Sequence, residues 1–272
     1  MPALAKKWLE GFEYAEVGGT TLVARYGRLE EIRGTLASGT LYDYAARHRA
    51  SRALSGRGIV YAVPLPTGER VVVRRNRHGG LFGRLTGDLF LPPSRAPFEL
   101  LTSLRLARHG VPTPEIVAYL IYPAKGILCR SDVISREIPE SVDLAAILTS
   151  DDERRRRTAL KAAATLIGQL SACGARHHDL NVKNVLLARS GSSTGEASLT
   201  AYVLDVDRVE FEGPGDTSVT EGNLQRFMRS ARKWRALHNA RVDETELAAL
   251  AETVRRFVAA NSSTDSPPRA RS

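Results

Sequence analysis

Cysteine is nearly absent. Two residues in 272, Cys129 and Cys173, are too few for a disulfide framework and read as buried thiols of a reducing compartment. No stretch of about 18 uncharged apolar residues occurs, so no membrane-spanning helix is expected. The opening Met1-Pro-Ala-Leu-Ala-Lys-Lys7 is not followed by an uninterrupted apolar segment. A secretory signal is therefore not expected, and the cytoplasm is the expected compartment. Internal repeats are lacking as well. The composition is not one-sided: 43% apolar and 25% charged residues exclude a wholly disordered or collagen-like chain. Acid is the scarcer charge. Lys and Arg number 39 against 30 Asp and Glu, a net +9 that points to an anionic partner. Nucleotide, nucleic acid, phospholipid and phosphorylated glycolipid all satisfy that sign, and charge alone does not choose among them.

What is present divides into two halves. Residues 1–50 are weakly patterned, with a strand at Thr20–Tyr26 after the Gly18-Gly19 turn and a short helix at Leu41–Ala50. From Gly58 the pattern sharpens. Ile59–Val63 and Arg70–Arg74 are β-rich runs around Pro64-Leu-Pro-Thr-Gly68, which predicts an antiparallel hairpin. A helix is predicted from Ser94–Pro97 to His109-Gly110, with Phe98, Leu101, Leu104 and Ala107 as its apolar face. Ile116–Ile121 and Ile127–Ser135 are two further strands. The result is a five-strand-like antiparallel lobe with one inserted helix, closed by Pro139.

Beyond it, Asp143–Leu148 and Asp152–Cys173 are helical in composition. Val185–Leu187 and Ala201–Leu204 are short strands. Helices are predicted at Gly222–Ala240 and Asp243–Ala260, the latter with Asp243 and Glu246 in capping-box spacing and Leu247, Leu250, Val254 and Phe257 on its inner face. The Ser/Thr/Pro-rich tail, 263–272, is predicted to be disordered. The fold class is α+β, with a β-rich lobe over 1–138 and a helical lobe over 139–262.

The feature that carries chemistry is His177-His-Asp-Leu-Asn-Val-Lys-Asn184, followed by Leu204-Asp-Val-Asp207. Asp179 precedes Asn184 by five positions, just before an apolar strand, and Asp205 ends the next strand. Phosphoryl transfer from ATP needs one carboxylate to orient and deprotonate the attacking hydroxyl. It also needs a carboxamide and a second carboxylate to hold Mg2+ on the phosphates. The kinase signature H-R-D-L-x-x-x-N has the same Asp-to-Asn separation. Here His178 replaces its Arg, and Asp205-Val-Asp207 stands where Asp-Phe-Gly is usual. With the carboxylate as base, His177 reads as a structural hydrogen-bonding residue.

These segments resemble the protein-kinase-like superfamily and, more narrowly, its lipopolysaccharide kinase family. The matching pieces are Gly56-Arg-Gly58, Val73–Gly80, Phe98-Glu-Leu-Leu101, His109–Pro114, Asp132–Ile138, His178–Asn184, Leu204–Arg208 and Asn223–Ser230. The resemblance implies a bilobal protein-kinase-like fold with ATP between the lobes. It implies Asp179 as catalytic carboxylate and Asn184 and Asp205 as Mg2+ ligands. It places Gly56 and Gly58 over the phosphates, Lys183 near them, and the adenine-binding hinge around Glu137 and Ile138. The phosphate-clamping position, a Lys in ordinary protein kinases, falls on Arg74 with Glu99 as its partner, and Arg75 is a rival. An Arg clamps with a planar fork instead of a point charge.

No Ala-Pro-Glu segment follows Asp205, and the stretch to Gly222 is short, which argues against a peptide acceptor. Arg226, Arg229 and Lys233 recur at helical spacing, Arg154–Arg157 opens another helix, and Arg74, Arg75, Arg77 and Arg84 lie around Gly79-Gly80. The family resemblance implies a Kdo (3-deoxy-D-manno-octulosonic acid)-bearing lipid A precursor as acceptor, phosphorylated at the 4-hydroxyl of Kdo. It also implies peripheral contact with the anionic cytoplasmic face of the inner membrane. No recognition motif for nucleic acid accompanies the charge. The alternatives are a related kinase for heptose, another small molecule or a protein, and a nucleotide-binding pseudokinase that acts as a scaffold.

Overall fold

The computed structural model describes residues 10–54, 58–77, 87–92, 94–189 and 198–262. The tail 263–272, Gly56, Gly79, Gly80 and Arg84 lie outside them. The chain divides into two compact units. The first comprises the described residues up to Ser103 together with Pro114–Glu137. The second comprises Leu104–Thr113 and the described residues from Ile138 onward.

The first unit is built on a seven-stranded antiparallel sheet in the order β1-β2-β6-β7-β5-β4-β3. Its strands are β1 (Phe12–Val17), β2 (Thr20–Arg25), β3 (Arg52–Leu54), β4 (Val60–Pro64), β5 (Arg70–Arg75), β6 (Ile116–Pro123) and β7 (Cys129–Arg136). Four pairs of consecutive strands, β1–β2, β3–β4, β4–β5 and β6–β7, are antiparallel neighbours. Val17 pairs with Thr20, leaving Gly18 and Gly19 as a two-residue loop with φ of 55° and 80°, a backbone that favours glycine. Helices α1 (Leu29–Thr35) and α2 (Leu41–Arg47) close one sheet face, and Ile32, Leu41 and Ala45 join Leu22, Val73, Leu120 and Ile134 in a core that excludes water. Thr40 and Asp43 cap α2 reciprocally.

Three sequence expectations change here. β1, β3 and α1 were not foreseen: β1 alternates in polarity as a sheet-edge strand, and β3 spans three residues. Helix α3 (Ala96–Arg108) also turns a different face inward. Ala96, Glu99, Leu100, Ser103 and Leu106 are buried, whereas Phe98 is 56% exposed. An apolar count puts Glu99 in water. In the folded chain Glu99 is buried because it meets Arg74. The single boundary drawn at 138 misses another feature. Leu104–Thr113 belong to the second unit because Leu106 and Val111 sit in its core.

In the second unit β8 (Val142–Asp143), β10 (Val185–Arg189) and β11 (Leu199–Val203) form one small sheet, and β9 (Ala175–His177) pairs with β12 (Val209–Phe211) in another. Helices α4 (Leu144–Leu148), α5 (Glu153–Ala172), α6 (Thr217–His238) and α7 (Glu244–Ser262) supply the rest. The capping box before α7 forms, with Glu246 N–H donating to Asp243 at 2.7 Å and Asp243 N–H to Glu246 at 3.0 Å. Four arginines in the first turn of α5 oppose the helix dipole. Asp152 caps the helix, Arg157 pairs with Glu153, and Arg156 donates to Ser150 O, which accounts for two of the four. Cys129 and Cys173 are buried free thiols, and burial pushes both up, away from nucleophilic use.

Gly174 leads into β9 with φ of +73°, and a Cβ there would lie 2.5 Å from Glu212 O and 2.8 Å from Gly213 O. Backbone strain and a clash with backbone oxygens act together. Gly174→Ala is expected to lose on the order of 2–4 kcal/mol of stability in urea unfolding. An unchanged midpoint would mean that the β9–β12 pair tolerates the shift.

Candidate active site

The loop between β9 and β10 carries His178 to Asn184. Leu180 and Val182 are buried and anchor it, and Asp179, Asn181 and Lys183 point outward between them. Side chains then rigidify it. Asn181 Oδ1 accepts from the N–H groups of Lys183 and Asn184 at 2.9 and 3.2 Å, and its amide donates to Asp179 O at 2.9 Å. Asn184 Nδ2 donates to the same carbonyl at 2.9 Å, so its amide hydrogens are turned toward Asp179 and its oxygen is the end that can ligate a cation. Leu204 N–H donates to Asn184 O at 2.9 Å, which brings Asp205 beside Asn184. Asp205 itself is held at φ 54°, left-handed for a residue with a side chain.

His177 sits at the centre of this frame, fully buried. Its Nδ1 accepts from Asp179 N–H at 3.2 Å, so Nε2 bears the proton and donates to Leu204 O at 2.9 Å. One neutral ring thus ties the loop between β9 and β10 to the end of β11, the structural role read from the sequence. Burial pushes the imidazole below its ordinary 6.5, and Asp205, Asp179 and Asp207 pull the other way, which places three carboxylates around it. A histidine with a lowered folded pKa binds a proton more readily in the unfolded chain. Stability is therefore expected to fall as pH drops through and below 6.5. Urea unfolding between about pH 7.5 and about pH 5.5 should show a steeper loss in wild type than in His177→Gln. Equal slopes would remove His177 as the cause.

Two polar residues of α6 complete the scaffold and had no assigned role in the sequence reading. Asn223 Oδ1 accepts from His177 N–H at 2.9 Å, and Ser230 Oγ accepts from Val182 N–H at 3.2 Å. They lie two helical turns apart among the buried Leu224, Phe227 and Ala231, and polar residues on an otherwise apolar stripe are the signal that could have found them. Lys183 is paired: its Nζ donates to Asp143 Oδ2 at 2.8 Å. His178 Nε2 lies 2.9 Å from Glu210.

The first unit holds the other candidates. Arg74 forms an ion pair with Glu99, which is 7% exposed. Arg75 has a different surrounding. It donates through Nε to the fully buried Asp132 at 3.0 Å, bonds Thr40 Oγ1, lies 3.7 Å from Asp88, and packs over the Tyr42 ring. Glu137 has its N–H on Arg70 O and its carboxylate on Arg52 and Arg70. Ile138, in the second unit, accepts from Ser141 Oγ. At Gly58 a Cβ would meet only Arg77 Cδ at 3.8 Å, and φ does not demand glycine.

Among the described residues no three His, Cys, Asp or Glu side chains converge on a point where a metal could sit. The donor set offered by Asn184 and Asp205, a carboxamide and a carboxylate oxygen, instead suits a hard cation that keeps water and phosphate ligands, as Mg2+ does.

A family model described as "Lipopolysaccharide kinase (Kdo/WaaP) family" matches residues 44–253. The 3-deoxy-D-manno-octulosonic acid kinase of Vibrio vulnificus (strain YJ016) is 30% identical over 213 residues, 76% of this chain and 84% of the relative. Its counterpart in strain CMCP6 is 31% identical over 201 residues, covering 71% and 77%. Among solved structures, WaaP in complex with acyl carrier protein aligns with a TM-score of 0.50 at 17% identity over 87% of this chain and 98% of that one. At that identity the likeness speaks for the fold.

Proposed function

The chain belongs to the lipopolysaccharide kinase (Kdo/WaaP) family, and from that premise we propose that it transfers the γ-phosphoryl group of ATP to the 4-hydroxyl of a Kdo residue on a lipid A precursor. It is an ATP-dependent phosphotransferase that acts on a sugar hydroxyl. The observation that carries the assignment of roles is the hydrogen-bonded frame in which His177 joins the backbone of Asp179 to Leu204, and Asn184 bonds both Asp179 O and Leu204 N–H, next to Asp205.

Asp179 accepts the proton of the attacking hydroxyl. The acceptor oxygen forms its bond to the γ-phosphorus as the bond to the leaving ADP oxygen breaks. Asn184 and Asp205 would hold Mg2+, which when bound would supply charge neutralisation at the phosphates. Arg74, fixed by Glu99, contacts phosphate, while Arg75 serves the framework. Gly56 and Gly58 belong to the loop over the phosphates. Ile138 marks the adenine end, since the N–H and carboxylate of Glu137 are engaged by Arg70 and Arg52. Lys183 acts through Asp143 in this reading.

No helix among the described residues is long and apolar enough to cross a membrane. The lipid-borne acceptor is reached by peripheral contact at the cytoplasmic face of the inner membrane, and each Lys or Arg near an anionic surface contributes about 1 kcal/mol.

The test is phosphate transfer from labelled Mg-ATP to a Kdo-bearing lipid A precursor, a heptose-bearing core and a generic protein. Label on the Kdo lipid supports the proposal. Label on another acceptor alone keeps the phosphotransferase and discards Kdo.

A further inference from the structure

Helix α6 runs along the catalytic loop. Asn223 and Ser230 bond its backbone, and Trp234 lies under Lys183 Nζ, 5.6 Å from the ring centroid. These three residues mark the helix face turned to Asp179 and its neighbours. At 100° per residue, Arg226 and Lys233 lie about 60–80° round the helix from that face and Arg229 about 120° round, so the three run as one stripe whose near edge is Arg226. Arg226 is half-buried, and Arg229 and Lys233 are exposed.

The stripe differs from the other cations of this region. Arg232 and Arg235 of the same helix share Glu244, Arg255 pairs with Glu221, and Arg176 pairs with Glu212. Arg226, Arg229 and Lys233 form no ion pair with any described residue. Arg226 is nonetheless positioned. Nη1 donates to Gly222 O at 3.0 Å, and Nη2 lies 3.5 Å from Nδ1 of His178, the residue before Asp179. The guanidinium rests where a Cβ on Gly222 would meet it at 3.0 Å and Arg176 Nη1 at 2.6 Å. The two guanidinium groups thus approach one point over Gly222. Arg226, held within one residue of the proposed base and followed along the helix by Arg229 and Lys233, makes a positive patch that an anion would complete.

We propose that Arg226 and Arg229, with Lys233 beside them, bind the carboxylate of the sugar acid that accepts phosphate. This rests on the reading of the acceptor given above. Kdo is an acid, so its carboxylate is ionised at neutral pH, and an arginine fork matches carboxylate geometry with two parallel hydrogen bonds. The stripe selects an acidic sugar over a neutral one and orients its hydroxyl toward Asp179.

The experiment uses a water-soluble Kdo glycoside and its methyl ester, which removes the charge and keeps the sugar. Turnover and equilibrium binding are both measured, in wild type, Arg226→Met, Arg229→Gln and Arg226→Lys. Wild type should prefer the acid in kcat/KM by about 10- to 100-fold, and the preference should fall toward unity in Arg226→Met and Arg229→Gln, with Arg226→Lys between. Arg229 is exposed, so its variant tests the idea even if Arg226→Met folds poorly. Turnover with the acid preference intact in the variants would overturn the proposal while leaving the kinase reading in place. Binding of the acid that depends on Arg226 and Arg229, without any turnover of Kdo, would keep the anion site and overturn the acceptor assignment. Loss confined to acceptor presented in anionic vesicles, with the soluble acid still preferred, would make the stripe a membrane contact and overturn the proposal as well.

Discussion

Asp179→Asn is expected to lower turnover by about 100- to 10,000-fold, the contribution of a positioned general base. The substitution is nearly isosteric, so its neighbours keep their places. Asn181 and Asn184 both donate to the backbone carbonyl of residue 179, which the side-chain change does not touch, and the 3.3 Å contact of Asn181 Nδ2 with Asp179 Oδ1 can be kept by the amide oxygen of Asn. His177 accepts from the backbone N–H of the same residue. The loop and the Asn184–Asp205 pair should therefore stay as they are, and stabilisation by Mg-ATP in a thermal melt should survive. Single-turnover phosphate release with and without acceptor separates the two effects. Near-normal transfer in the variant would sink the assignment of Asp179. Loss of Mg-ATP stabilisation together with turnover would show that the side chain holds the nucleotide site and not the acceptor proton.

The second large effect concerns stability. Arg75→Met should destabilise the protein by about 3–5 kcal/mol, because it removes one partner of a buried pair and leaves the other. Asp132 is fully buried, and burial pushes its carboxyl up while Arg75 pulls it down. Without Arg75, the partners that remain to that charge among the described residues are Tyr42 N–H at 3.0 Å and Tyr122. The carboxyl then favours its protonated form in the folded state more than in the unfolded chain. Lowering the pH should restore part of the loss, since protonation removes the uncompensated charge. Urea unfolding of wild type and Arg75→Met at two pH values reads both parts. A loss below about 1 kcal/mol, or one that grows as pH falls, would show that Asp132 is not left bearing the charge. The neighbouring Arg74 faces Glu99 instead, and adjacent residues of one strand point to opposite sides of the sheet. The alternation gives the two arginines different partners, Glu99 for Arg74 and Asp132 for Arg75.

That division was beyond the sequence. Arg74 and Arg75 are equivalent as letters, and only the pairing of β5 with β7 brings Asp132 opposite Arg75. The inner face of α3 was misread for the same reason: an ion pair 25 positions long in the chain turns a glutamate inward, and polarity patterns count glutamate as outward. Lys183 meets Asp143 across 40 positions, and Leu104–Thr113 join the second core through Leu106 and Val111. None of these partners lies within a helical turn or a hairpin of the residue it decides.

What the sequence determined by itself is the chemistry and the local frame that presents it. The separation of Asp179 from Asn184 and the position of Asp205 at a strand end depend on contacts between near neighbours, as do the Gly18-Gly19 turn and the capping box at Asp243 and Glu246. Short-range hydrogen bonds and fixed backbone periods make such features readable along the chain. The tertiary structure alone decided which charges are spent and which remain to act. Asp132 holds Arg75, Asp143 holds Lys183, Glu99 orients Arg74, and Arg226, Arg229 and Lys233 form no ion pair among the described residues, with Arg226 beside His178. Pairing between distant charges is set by which elements meet, and that is a property of the folded chain.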